Sequence, residues 1–136
     1  MEISGPMSSN DSTSGHATRA TTAHSDGAIA EGLAARFLEQ HGLTVLARNY
    51  RCRGGEVDLI CRERRVLVFV EVRLRRSASH GGAAASITAG KQDRIMRAAQ
   101  HYLLAQRSNE ADCRFDCIVL EDLSETSIEW LRDAFS

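Results

Sequence analysis

The chain has 136 residues, 26% of them charged, and a formal net charge of −1. That length suits one domain with a modest core, and the absence of any apolar run as long as a membrane span or a signal-peptide core excludes a helical membrane protein and leads us to expect a soluble, cytoplasmic one. The charge balance excludes a bulk polycation, although the basic residues are nearly all arginine and crowd into one zone: Arg48, Arg51, Arg53, Arg62, Arg64, Arg65, Arg73, Arg75 and Arg76.

Residues 1–25 are dominated by Ser, Thr, Ala, Gly and His, which cannot bury enough surface to offset the entropy of ordering, so they read as a disordered tail with solvated His16 and His24. The remainder, 26–136, reads as one α/β domain. A helix is predicted from about Asp26 to His41, capped by Ser25 or Asp26, with Ile29, Leu33, Phe37 and Leu38 inward and Gly42 ending it. Glu31 lies on the flank of that stripe. Thr44 to Arg51 reads as a strand, and Arg51-Cys52-Arg53-Gly54-Gly55 as a turn whose glycines permit positive φ or close backbone approach.

Next comes an acidic hairpin. Gly-Glu-Val-Asp-Leu-Ile-Cys (55–61) and Val-Leu-Val-Phe-Val-Glu-Val-Arg (66–73) are short, rich in β-branched residues and strand-like. The second is apolar on both faces, as in the middle of a covered sheet, and ends on Glu71. By parity Glu56, Asp58 and Ile60 share one face of the first strand and Leu67, Phe69, Glu71 and Arg73 one face of the second, and a turn of even length puts the two sets on the same side of the sheet. A turn at Glu63-Arg64 sets Glu56 opposite Glu71; one at Arg64-Arg65 sets Asp58 there instead. Either way acids converge beside a guanidinium. Such crowding calls for a hard cation or a shared proton; the bland alternative is a surface cluster neutralised by Arg73.

Ser77 to Gly82, with His80, reads as a loop and a flap over the site. A second helix is predicted from Thr88 or Gly90 to Arg107, with Ile95, Met96, Ala99, Tyr102 and Leu103 inward and Arg94 and Arg97 outward. Lys91, the chain's lone lysine, and Gln92 fall on the margins of its inward face in the first turn, where the dipole favours phosphate. Cys113 to Leu120 is a further strand, and Ser127 to Leu131, carrying Trp130, a last short one before Ala134 and Phe135. The order α-β-β-β-α-β plus a terminal strand, with a helical crossover, implies a mixed central sheet flanked by helices. The four cysteines lack zinc-ligand spacing and read as reduced thiols, so no zinc is expected.

Gly-Gly-Glu-Val-Asp-Leu-Ile, Phe-Val-Glu-Val-Arg, Gly-Gly-Ala-Ala-Ala-Ser-Ile-Thr and Cys-Arg-Phe-Asp together resemble the YraN-like uncharacterised family, UPF0102, over roughly residues 28–136. That resemblance implies a restriction-endonuclease-like fold of the PD-(D/E)XK superfamily, whose pattern is an acid followed by acid-x-lysine on the next strand. The matching positions are Asp58 and Glu71-Val72-Arg73, with Glu56 as an extra acid, Glu31 similar to the family's first-helix glutamate, and Gln92 similar to a helix glutamine of related nucleases. The departure is Arg73. Arginine stays charged at any physiological pH and cannot act as a base, though it can orient water or stabilise a phosphorane-like charge.

The expected function is a Mg²⁺- or Mn²⁺-dependent endonuclease, with DNA favoured over RNA as partner. Asp58, Glu71 and Glu31 would hold the metal, and Asp58, Glu71, Arg73, Glu56, Gln92 and Lys91 would form the catalytic group, Glu56 or Lys91 helping a metal-activated water. Arg51, Arg53, Arg75, Arg76 and Lys91 would contact nucleic acid. Two alternatives stand beside this: a nucleic-acid-binding module without turnover, and a protein-interaction scaffold whose acids are structural. Oligomeric state is left open.

Overall fold

In the computed structural model, which describes residues 22–75, 87–107 and 112–136, five segments, of which Val66–Leu74 is the richest in β-branched residues, become the five strands of one sheet. In chain order the described elements are α1 (Thr22–Gln40), β1 (Thr44–Cys52), β2 (Gly55–Glu63), β3 (Val66–Leu74), α2 (Ala89–Ala105), β4 (Asp112–Leu120), a 3₁₀ turn (Glu125–Ser127) and β5 (Ile128–Phe135). The strands lie side by side in sequence order. The pairs β1–β2, β2–β3 and β4–β5 are antiparallel, while β3–β4, joined through α2, is parallel. This is the mixed α/β sheet expected from the helical crossover. Residues 1–21, Arg76 and the loop from Ser77 to Gly82 lie outside the described residues, and with them most of the expected tail and the expected flap.

The two helices cover opposite faces. Under α1 lie Leu59, Cys61, Val68, Val70, Ile118 and Leu120; under α2 lie Val57, Ile60, Leu67 and Phe69. That double covering explains why β3 is apolar at every position from Leu67 to Val70. Val57 packs with Ile60 rather than with Leu59, so strict alternation breaks in the first half of β2.

α1 differs from expectation at two points. It begins at Thr22, so Ser25 and Asp26 lie inside the helix rather than capping it. Its buried face is Ala30, Ala34, Ala35 and Leu38, with Leu33 and Phe37 only half-buried, and Ile29 is 47% exposed. Small alanines let the helix axis approach the sheet closely, which rotates the bulkier side chains to the flanks. Ile29, Gly32, Leu33, Arg36, Glu39 and Arg48 line a shallow depression there. No helix among the described residues is long and apolar enough to cross a membrane.

The two glycines of the β1–β2 turn do different jobs. Gly54 takes φ +80°, a left-handed conformation that a Cβ would strain. Gly55 is a contact residue: a Cβ there would lie 2.7 Å from both the Ala98 amide nitrogen and the Arg94 carbonyl oxygen of α2. Backbone atoms cannot move aside as a side chain can. Gly55→Ala should therefore push α2 away and cost roughly 1–3 kcal/mol in a urea unfolding experiment, the usual range for overpacking. An unchanged midpoint would mean that α2 is not wedged against β2 in this way.

Candidate functional site

The hairpin turn falls at Arg64-Arg65, with Glu63 paired to Val66 and the ladder running to Leu59 opposite Val70. One step further the two strands stop exchanging backbone bonds. Asp58 sits there instead, and its Oδ2 accepts the Val72 amide at 2.8 Å. Of the two registers open from sequence, the structure thus has the one that sets Asp58 against Glu71. Arg64 absorbs the bend with φ +58°, a position where glycine or asparagine would ordinarily sit.

Glu71 is only 4% exposed. Its parallel neighbour on β4 is Cys117, and Lys91 reaches it from α2 with Nζ 3.5 Å from Oε2. Arg73, two residues along the same face, brings Nη1 to within 3.9 Å of the same oxygen. Burial and then the negative charge of Asp58 push the Glu71 carboxyl up to about 7, against the opposing pull of Lys91. The burial cost and the like-charge repulsion outweigh the counter-ions.

The other expected site residues gather around this pair in varying degrees. Glu56 is half-exposed and meets Lys91 at 3.7 Å, Arg94 at 3.6 Å and Arg51 at 3.9 Å. Glu31, on α1, accepts a 3.1 Å hydrogen bond from Asn49 Nδ2. Its carboxyl is raised by burial and by the charge of Asp58, which places it in the same electrostatic neighbourhood. Gln92 donates from Nε2 to the Ile87 carbonyl at 3.1 Å, tying the segment before α2 to its first turn, and Thr88 Oγ1 caps that turn by accepting from the Lys91 amide. Of the arginines expected to meet a nucleic acid, Arg51 and Arg53 are exposed, whereas Arg75 pairs with Glu121 at 3.4 Å.

Asp58 and Glu71 are hard oxygen donors on adjacent strands. Among the described residues no three His, Cys, Asp or Glu side chains are close enough to hold a metal ion between them. The Asp58–Glu71 pair fits a cation that keeps most of its own waters and takes one or two carboxylates. The four cysteines are free thiols, and burial pushes Cys61 and Cys117 up to about 12.

Two features escaped sequence reasoning. Asn49, with φ +51°, reaches Glu31 from a strand position with no acidic signature. On the opposite face of the sheet, one residue from the neighbour of Glu71, Asp116 is wholly buried. It accepts from Arg114 Nε at 2.9 Å and Nη2 at 3.0 Å, from Trp130 Nε1 at 2.9 Å and from the Asp133 amide at 2.9 Å. Arg114 also joins Arg132 on Glu63, each at 2.8 Å, and Arg132 stacks 4.4 Å over the Trp130 ring. The sheet is covered on both faces, so Asp116, on the side of β4 that α1 covers, is enclosed.

The profile of the uncharacterised protein family UPF0102 matches residues 30–120. The chain is 56% identical over 110 residues to a UPF0102 protein of Dechloromonas aromatica, covering 81% of this chain and 88% of that one. It is 53% identical over 115 residues to one from Nitrosomonas europaea, covering 85% and 97%. A third, from Aeromonas hydrophila, is 51% identical over 116 residues, covering 84% and 87%. The chain belongs to the UPF0102 family.

Proposed function

We propose that this UPF0102 protein is a metal-dependent phosphodiesterase with a restriction-endonuclease-like core, acting on nucleic acid and on DNA in preference to RNA. The observation that carries this reading is the Asp58–Glu71 pair at the point where the β2–β3 ladder ends, with one acid buried, its proton affinity raised, and two cationic side chains beside it. An antiparallel β1–β2–β3 meander followed by a crossover helix and a parallel β4 is compatible with that core.

Asp58 and Glu71 would hold Mg²⁺ or Mn²⁺, with Glu31 adding negative charge from α1. When bound, such a cation supplies Lewis-acid polarisation of the phosphodiester. The chain's own groups do the rest. Arg73 and Lys91 flank Glu71 and can donate to phosphate oxygens as negative charge builds in the transition state. In hydrolysis water adds to phosphorus and gives up a proton to solvent, the ester P–O bond breaks, and the departing oxygen gains a proton. Lys91, with three donors on a flexible stem, is the side chain suited to give it. A second reading, a nucleic-acid-binding module without turnover, is favoured by one observation: arginine stands at position 73.

The test is incubation of duplex, single-stranded and four-way-junction DNA, and of RNA, with Mg²⁺ or Mn²⁺ at low salt. Wild type should cleave at least one DNA. Arg73→Ala should lower the rate by about 10²–10³, the usual size for one preorganised donor, and Arg73→Lys should retain or raise it. No cleavage by any variant, with Arg73→Ala merely lowering the melting temperature, would favour the binding module.

A further inference from the structure

Glu56 faces more positive charge than one carboxylate can balance. Arg51, its direct partner across β1–β2, places Nε 3.9 Å from Oε1; Arg94 Nη2 and Lys91 Nζ lie 3.6 Å and 3.7 Å from Oε2. Even with Lys91 assigned wholly to Glu71, two guanidinium groups contact this one carboxylate, and Glu31 acts on Arg51 only through its charge. All three contacts are longer than the ~2.7–2.9 Å of a charge-assisted hydrogen bond. Arg114, by contrast, grips Glu63 at 2.8 Å. Arg51 and Arg94 thus keep donors open to solvent, and their side chains are 75% and 52% exposed.

The scaffold beneath them is firm. Gly55 wedges under the Arg94 carbonyl, fixing the middle of α2 against the β1–β2 end of the sheet. Lys91 touches both Glu56 and Glu71, so the cationic corner directly adjoins the proposed reaction centre. Planar guanidinium forks beside an ammonium match an oxyanion with several acceptor oxygens, which a carboxylate held at one side only partly satisfies.

We infer that Arg51, Lys91 and Arg94 form a subsite for a backbone phosphate of the nucleic-acid strand next to the one cleaved, and that Glu56 is its internal occupant. The Glu56 carboxylate keeps the cations in place when no strand is bound, and an incoming phosphate must compete with it. This inference rests on the proposed nucleic-acid reading and gives Glu56 a part in binding rather than in activating water.

Fluorescence anisotropy with labelled single-stranded and duplex DNA, without divalent metal and across a salt series, tests it. Glu56→Gln is isosteric and should tighten binding by about 3–10-fold and steepen the salt dependence by about one phosphate contact, while Arg94→Ala should weaken binding and flatten the slope by a similar amount. Thermal melts of each variant establish that the fold is intact. Unchanged or weaker binding by Glu56→Gln, or wild-type affinity in Arg94→Ala, would overturn the subsite while leaving the nucleic-acid reading standing. Absence of binding by the wild type and both variants at low salt would instead remove the nucleic-acid reading itself.

Discussion

Glu71→Gln should make the metal-free protein more stable above neutral pH while abolishing the proposed metal-dependent turnover. Burial and the neighbouring charge of Asp58 raise the Glu71 carboxyl from its ordinary 4.5 to about 7. The folded state therefore holds this proton more tightly than the unfolded chain does. The stabilisation is complete below pH ~4.5 and is lost as pH rises through ~7, where the buried group must ionise. A difference of this size corresponds to a few kcal/mol, about 3 at most. Glutamine reproduces the neutral form, so the variant should keep at about pH 8 the stability that wild type loses, and its unfolding free energy should lack the fall that Glu71 imposes across this interval. Millimolar Mg²⁺ should raise the melting temperature of wild type in that range and leave the variant unmoved, because a cation bound only to the folded state stabilises it by mass action. Parallel pH profiles for the two proteins would show that Glu71 titrates as an ordinary surface acid.

The second large effect lies away from the site. Asp116→Ala should cost about 3–5 kcal/mol, the range for stripping one partner from a buried ion pair. It strands three kinds of donor at once: the Arg114 guanidinium, the Trp130 indole N–H and the Asp133 amide. For a domain of this size that is a large share of the total stability. The loss should appear in urea unfolding as a lower midpoint, with near-ultraviolet circular dichroism reporting a freed Trp130. Replacing Arg114 and Asp116 together by apolar residues of similar volume should cost far less than Asp116→Ala alone, since no charge is then left unpaired. A cost below about 1 kcal/mol for Asp116→Ala would mean that the network is ornamental.

What the sequence made legible, and what it hid, follows from the range of each interaction. Asp58, Glu71 and Arg73 could be brought together on paper because a hairpin links them locally and parity alone places them. Their register could not be chosen, since the turn has no glycine or asparagine and Arg64 adopts positive φ without a sequence cue. Lys91 was visible at the margin of its helix, but its bridging of Glu56 and Glu71 depends on how closely α2 lies on the sheet, which Gly55 decides. On α1 side-chain size is a poor guide to burial: Leu38 is buried and Leu33 and Phe37 pack at the flank, but Ala30, Ala34 and Ala35 set the close contact and Ile29 stays exposed. β5 runs to Phe135 rather than stopping near Leu131. The polar pair Arg132-Asp133 looks like a strand end, yet Asp133 takes φ +54° and donates its amide to Asp116 while Phe135 goes on to pair with Phe115. Long-range partners of this kind leave no local periodicity to read.

Titration calorimetry with Mn²⁺ on the wild type and Asp58→Ala is the decisive measurement for the proposed divalent-cation site at Asp58 and Glu71. Weak, saturable binding to the wild type and none to the variant is expected, with the variant's fold verified by its melting transition. Equal Mn²⁺ binding by the two proteins would contradict that site.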